Sequence, residues 1–132
     1  MFAGIILIGS FFLMLMCFSK KNVKRLNVEH YRTKCLEIEH QLKENEPSSY
    51  SMCVINADKL VDQALKERGV KGKTMGERMK VGADLFSNRN GIWKAHILRN
   101  KISHEVNVDV SYKDALNALA SFRKALKDLG AI

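Results

Sequence analysis

The sequence predicts an all-α protein in three parts: a transmembrane helix at residues 1–19, a charged connecting helix at residues 20–46, and an antiparallel four-helix bundle at residues 47–132. Three observations support this fold class. The first 19 residues carry no charged side chain, a single proline (Pro47) occurs in the 132 residues, and apolar residues recur at helical spacing through the rest of the chain. The chain behind the apolar segment is long enough for one small domain.

The apolar segment at residues 1–19 matches a bilayer in length, since a helix rises about 1.5 Å per residue and the hydrocarbon core is about 30 Å thick. A cleaved signal peptide would need a basic stretch before the apolar run and small residues at its end, and neither is present. The cations that follow favour the cytoplasmic side; they are Lys20, Lys21, Lys24 and Arg25. We therefore predict a single-pass protein of the cell membrane, with residues 1–19 in the lipid bilayer, the N-terminus outside and the C-terminal domain cytoplasmic. Burial of the segment in a partner protein is the alternative.

The connecting helix at residues 20–46 carries a stripe of apolar or semi-apolar residues spaced three and four apart, which ends before Pro47. The stripe consists of Val28, Tyr31, Cys35, Ile38 and Leu42. Two readings follow from this spacing. Two parallel copies could pair in a homodimer, in which Lys34 would face Glu39 of the other copy, or the stripe could pack on the chain's own domain.

The first half of the predicted bundle contains two helices. One covers residues 51–68 and stops at Gly69. The next begins at Thr74, where Thr74 and Glu77 have the spacing of a capping box, and ends near Asn88. Short connections of this kind favour antiparallel neighbours.

The second half contains two more helices. One covers residues 91–105, and the last follows Ser111, which has cap-like spacing to Asp114, and ends before Gly130. Between them, residues 106–110 alternate apolar and polar side chains. A single strand would have no partner, so we predict an extended loop there.

The positive charge is concentrated in the bundle. Residues 20–46 hold 7 basic and 5 acidic groups, and residues 47–132 hold 15 and 9, so +6 of the net +8 belongs to the bundle. A polyanion such as RNA would be attracted to this surface. A solvated surface beside an anionic membrane leaflet explains the same charge.

Two kinds of site are unsupported. The cysteines (Cys17, Cys35 and Cys53) lie far apart and form no CxxC pair, so neither a disulfide framework nor a zinc site is indicated, and no cofactor is implied. Residues 72–74 look like the end of a phosphate-binding P-loop. However, the position of the first glycine is Glu67, and a helix precedes the segment where a strand is required.

The third bundle helix carries the residues best suited to catalysis or ligand binding. His96, Asn100 and His104 follow one another at four-residue spacing and form a polar row. Arg99 and His104 are five positions apart, so they point about 140° away from each other on a regular helix. Either this helix distorts, or another helix or a second subunit completes the site.

The string from Leu98 to Glu105, with an arginine, a polar residue and then a histidine, resembles the signature of the HEPN superfamily of helical domains. The resemblance covers about residues 51–129 and includes the late position of the motif helix. It implies an RNA-binding domain that cleaves RNA without metal, commonly as a dimer. By position, His104 would be the acid/base, Arg99 the phosphate clamp, and Asn100 a residue that orients either of them. Lys94, His96 and Lys101 are candidates for RNA binding on the same helix.

The same residues also permit a non-catalytic reading. Arg99 and Asn100 could hold helices together, and His104 could cap the C-terminal end of its helix. The tyrosine that toxin-type HEPN proteins carry shortly after the histidine is missing, since residues 105–107 are Glu, Val and Asn. The alternative is therefore a membrane-tethered protein-interaction or scaffold module whose protein partner the sequence does not name. A working site requires an accessible His104 close to Arg99 of its own or a partner chain, whereas a His104 buried in a capping role favours the alternative.

Overall fold

A computed structural model describes residues 25–132, which form five α-helices. The helices are α1 (Val28–Gln41), α2 (Ser48–Glu67), α3 (Met75–Val81), α4 (Arg89–His104) and α5 (Tyr112–Asp128), with a 3₁₀ turn at Ala83–Leu85. No strand occurs within this part of the chain, so the predicted all-α class is confirmed. Residues 106–110 form an irregular loop, as expected from the absence of a partner strand.

The predicted transmembrane helix at residues 1–19, and Lys20, Lys21 and Lys24 after it, lie outside the described residues. Among residues 25–132, no helix combines the length and the apolar character that crossing a bilayer requires.

Helix α2 is the centre of the fold, because it packs against each of the other four helices. Its buried side chains, which include Val54, Val61 and Leu65, meet Phe122 and Leu126 of α5 in one hydrophobic core. Helix α4 packs on both α2 and α5. A cleft lined by α2 and α4, and not by α5, opens on one side of the domain.

The predicted four-helix bundle at residues 47–132 is not confirmed, because the expected helix from Thr74 to Asn88 is much shorter. Helix α3 has only 7 residues and ends at Gly82, after which the chain turns through Ala83–Leu85. Gly82 donates its backbone N–H to the Arg78 carbonyl at 2.8 Å and closes the helix there. Glycine is a poor helix former, and Asn88 then caps α4 by accepting the Gly91 N–H.

Helix α1 takes the place of a fourth long helix, since the middle of its stripe is buried in the same core as α2 and α5. Tyr31, Cys35 and Ile38 are each less than one-tenth exposed. The Tyr31 hydroxyl donates to Glu67 at 2.6 Å. These three residues therefore pack on their own chain, which is the second of the two interpretations, while Val28 at the start of the stripe is 38% exposed.

The charges expected to face each other across a pair of helices are also used within the chain. Lys34 lies 3.4 Å from Glu37 on the same helix, and Glu39 forms an ion pair with Arg123 of α5. The helix does break before Pro47, since α1 ends at Gln41 and α2 starts at Ser48. This break is a turn between two helices that share a core.

The remaining helix ends follow their capping residues. Gly69 has a φ of 86° and ends the turn after α2. Thr74 accepts the Glu77 N–H, although the Glu77 carboxylate accepts the N–H of Lys73 and not that of Thr74. Ser111 and Asp114 form both bonds of a capping box at the start of α5.

Candidate functional site

A cleft of about 770 Å³ opens between α2, the start of α3 and the C-terminal half of α4. The α4 wall holds the whole polar row and the arginine of the motif, namely His96, Arg99, Asn100 and His104. The α2 wall holds Asp58, Lys59, Asp62 and Lys66 along successive turns. The cleft therefore brings together four of the six residues that the sequence analysis singled out.

A buried carboxylate on α2 organises the floor of the cleft. Asp58 is 3% exposed, and its Oδ1 lies 2.8 Å from Nδ1 of His96, which is itself buried. Its Oδ2 lies 3.4 Å from Nε of Arg99. Because a buried carboxylate needs partners, these two contacts fix α4 against α2 at this level of the fold.

Asn100 extends this network along α4. Its side-chain amide lies 3.4 Å from Nε2 of His96, and its Oδ1 accepts a hydrogen bond of 3.1 Å from Nη1 of Arg99. His96, Arg99 and Asn100 are thus linked to each other and to Asp58. We name these four residues the Asp58 network.

Arg99 is anchored at one end and accessible at the other. Among the described residues its buried Nε has no hydrogen-bond partner, although it lies within ion-pair distance of Asp58. About one-third of the side chain remains exposed to the cleft. A guanidinium with a fixed inner edge and an exposed outer part can bind a further anion, but part of its charge is already balanced by Asp58.

His104 is exposed and is the last residue of α4. The helix is continuous from Arg89 to His104, so no distortion turns Arg99 and His104 towards each other. They line the same cleft because His96 and Asn100 lie between them around the helix, with Arg99 on one side and His104 on the other. Helix α2 supplies the facing wall, so another helix of the same chain completes the cleft.

A second ion pair stabilises the opposite side of the cleft. Arg78 of α3 donates to both carboxylate oxygens of Asp62, at 2.7 and 2.9 Å, and to the Gly72 carbonyl at 2.8 Å. Lys66 lies 3.5 Å from the same carboxylate. The arginine is buried, and it ties α3 and the loop before it to α2.

The two lysines proposed for RNA binding lie elsewhere. Lys94 lines a shallow groove between α4 and α5, beside Asp114 and Asn117. Lys101 is exposed and follows Lys94 by seven positions, so both occupy the side of α4 that faces away from His96. The structure therefore does not bring Lys94 and Lys101 to the cleft.

Asp58, Asp62 and Arg78 were missed in the sequence because their roles depend on partners in other helices. Asp58 is 38 positions from His96, and Asp62 is 16 positions from Arg78. The one local signal is the spacing of the two aspartates, which are four apart on a helix whose neighbouring positions are largely apolar. A carboxylate beside an apolar helix face suggests a buried partner, without saying which.

Within residues 25–132, no group of three or more His, Cys, Asp or Glu side chains is arranged to hold a metal ion. Comparisons with known proteins found no match to this chain among protein families, curated proteins or solved structures.

Proposed function

We propose that this chain is a membrane-anchored, HEPN-like protein that binds RNA in the cleft and cleaves it without a metal ion. The observation that carries the proposal is the exposure of His104 at a cleft that Arg99 and Asn100 also line. A capping histidine needs no such neighbours, whereas a general acid/base must be reachable by its substrate.

The charges of the cleft suit a phosphodiester. Its lining includes three cations, Lys59, Lys66 and Arg99, against two carboxylates, Asp58 and Asp62. Asp62 is further neutralised by Arg78 behind it. The exposed lysines supply attraction to the backbone of any sequence, and the anchored guanidinium supplies a fixed contact to one phosphate.

The proposed reaction is a transesterification within the RNA strand. His104 takes the proton of a ribose 2′-OH, the 2′ oxygen attacks the adjacent phosphorus, and the bond to the 5′ oxygen of the next nucleotide breaks. The proton then passes to the leaving oxygen, directly or through water. The products are a 2′,3′-cyclic phosphate and a 5′-hydroxyl end, while Arg99 stabilises the additional charge on the phosphoryl oxygens.

Asp58 and His96 act as positioning residues in this proposal. Asp58 bonds Nδ1 of His96 and lies beside Nε of Arg99, so the guanidinium keeps its orientation before RNA arrives. Preorganised charge of this kind stabilises a transition state better than a group that must first be ordered.

The anchor at residues 1–19 would hold the domain on the cytoplasmic face of the cell membrane, where RNA is present. The basic residues next to it would contact anionic lipid heads. A homodimer is retained as part of the proposal, but its interface has to lie outside the buried stripe of α1, since Tyr31, Cys35 and Ile38 are already packed.

Cleavage is tested with the full-length chain, kept in mild detergent because of its apolar segment. Single-stranded RNA is incubated with the protein in EDTA, and the products are resolved and checked for cyclic phosphate ends. We expect His104→Ala to abolish cleavage. His40→Ala, which removes an exposed histidine from α1, is the matched control and should cleave normally. No salt-dependent RNA binding and no cleavage by the unaltered chain would end the proposal.

A non-catalytic scaffold is the second candidate, and the Asp58 network is the observation that favours it. His96 is buried and Arg99 is partly neutralised, so both contribute to holding α2 against α4. For a scaffold, Arg99→Ala would lower the melting temperature while the unaltered chain shows no RNA cleavage to lose. Thermal denaturation and the cleavage assay on the same two samples separate the candidates.

A further inference from the structure

A second pocket, of about 220 Å³, lies beside the cleft and between α3 and the first turns of α4. Its floor is apolar and buried, formed by Met79, Phe86 and Ile92. One wall is Trp93, whose side chain is 37% exposed. An exposed indole above an apolar floor is a surface that an aromatic ring can stack on.

The rim of this pocket is cationic. Lys80 and Arg89 both line it, and no carboxylate among residues 25–132 does. The Lys80 ammonium lies 6.0 Å from the centroid of the Trp93 ring, and Arg89 pairs with Asp84, at a highly exposed position where the interaction is weak. An apolar floor, an aromatic wall and a cationic rim match a planar base attached to an anionic backbone.

The size of the pocket restricts what it can hold. Pockets for drug-sized ligands usually have about 300–1,000 Å³. At about 220 Å³, this one admits a single ring system and leaves any attached sugar and phosphate outside. One nucleobase of a strand fits this description.

The pocket and the cleft are adjacent. The ring centroids of Trp93 and His96 are 6.1 Å apart. Gly76 of α3 lies against both rings, since a Cβ there would be 3.9 Å from Nε2 of His96 and 4.0 Å from Cη2 of Trp93. Along α4, Trp93 precedes His96 by three residues and Arg99 by six, or about 4.5 and 9 Å, a distance that neighbouring parts of one nucleotide chain can span.

We propose that the Trp93 pocket is a base-binding subsite, which receives one unpaired nucleobase of single-stranded RNA while the backbone next to it crosses the Arg99 cleft. The inference rests on the proposed function and adds a substrate class to it. Double-stranded RNA would be excluded, because its bases are paired and stacked and cannot enter a side pocket.

The test uses the only tryptophan of the chain as its own probe. The full-length protein in mild detergent is titrated with a short 2′-O-methyl oligoadenylate, which cannot be cleaved, and with an abasic strand of equal length and charge. We expect the oligoadenylate to quench Trp93 fluorescence and to bind about 5- to 10-fold more tightly than the abasic strand. This factor is the lower part of the range for base–aromatic stacking, because Trp93 offers only part of its surface.

The variant Trp93→Ala should weaken binding of a labelled oligoadenylate by the same factor and leave binding of the abasic strand unaffected. The two proteins and the two strands together form a double-mutant cycle, which isolates the contact between indole and base. Trp93→Phe retains a ring and should retain most of the affinity. This control shows whether the weaker binding of Trp93→Ala comes from the lost ring or from a folding defect. Leu116→Ala removes a similarly exposed apolar side chain from α5 and should change neither strand.

The outcomes separate the subsite from the proposed function. If both strands bind equally and Trp93→Ala affects them equally, the proposal of a base subsite is wrong, whereas RNA binding still holds. The pocket would then fit an apolar side chain of a protein partner. If neither strand binds, the proposed function fails and the subsite fails with it.

Discussion

Replacing Asp58 tests the network that holds the cleft together. Asp58→Ala leaves Nδ1 of the buried His96 without its acceptor, which costs about 1.5–3 kcal/mol for a hydrogen bond to a charged group. It also removes the carboxylate beside Arg99, whose exposure limits that loss to about 0.5–1 kcal/mol. We therefore expect the free energy of unfolding to fall by about 3 kcal/mol in total, or the melting temperature by about 12 °C for a domain of this size.

The partial replacement Asp58→Asn sharpens the test. The asparagine oxygen can still accept the hydrogen bond from His96, but it carries no charge for Arg99, so we expect a loss of only about 1 kcal/mol. Asp84→Ala, at a side chain that is 97% exposed, should unfold like the unaltered protein. Urea denaturation followed by circular dichroism measures all three variants. A loss below about 1 kcal/mol for Asp58→Ala, or identical losses for the alanine and asparagine variants, would refute the assignment of the network.

Three further perturbations test other parts of the fold. Arg78→Met should lower the free energy of unfolding by about 2 kcal/mol in urea denaturation, because the part-buried Asp62 loses both bonds from Arg78 and keeps its contact with the exposed Lys66; a loss near zero would contradict this ion pair. Gly72→Ala should lower the melting temperature measurably, because Gly72 has a φ of 154° and a Cβ there would lie 2.8 Å from the backbone nitrogen of Arg78. Burial and a neighbouring carboxylate raise the pKa of Cys35 from 9.0 to about 11, so the thiol's contribution to stability is complete below pH 9 and is lost as the pH rises to 11. Unfolding free energies measured across that range should fall less steeply for Cys35→Ala, and equal slopes would contradict the shift.

Local signals in the sequence predicted two helix starts, at Thr74 and Ser111, and two helix stops, at Gly69 and Gly130. Ser111 with Asp114, Thr74 and Gly69 each act within one turn, so their effect does not depend on the rest of the chain. Gly82 is an ambiguous signal, because an isolated glycine in a helical pattern ends some helices and only weakens others. Here the chain leaves the helix at that residue, and the predicted helix became α3 and a 3₁₀ turn.

The relation of α1 to the rest of the domain could not be predicted from its stripe. A three-four spacing of apolar residues describes the face that is buried, and the same face suits a second copy or the chain's own core. Contacts between residues distant in sequence decide between these two partners. The Tyr31 hydroxyl, for example, donates to the carboxylate of Glu67, 36 positions away, at 2.6 Å.

The residues of the cleft could likewise be predicted only in part, because some of them belong to helices that are distant in sequence. The polar row on α4 follows from helical spacing, so His96, Asn100 and His104 were found together with Arg99. Lys94 and Lys101 share that helix but occupy its other side, and only the position of α2 shows which side lines the cleft. Asp58 is recognisable only once α2 and α4 are packed.

An NMR titration of the histidines can decide whether RNA binds at the cleft beside His104. The chain contains 4 histidines, whose imidazole C–H signals can be assigned by single substitutions. On addition of a non-cleavable 2′-O-methyl oligonucleotide, we expect the His104 signal to shift while the signals of His30 and His40 on α1 remain in place. Binding of the oligonucleotide with an unchanged His104 signal, or shifts at His30 and His40 alone, would contradict the account.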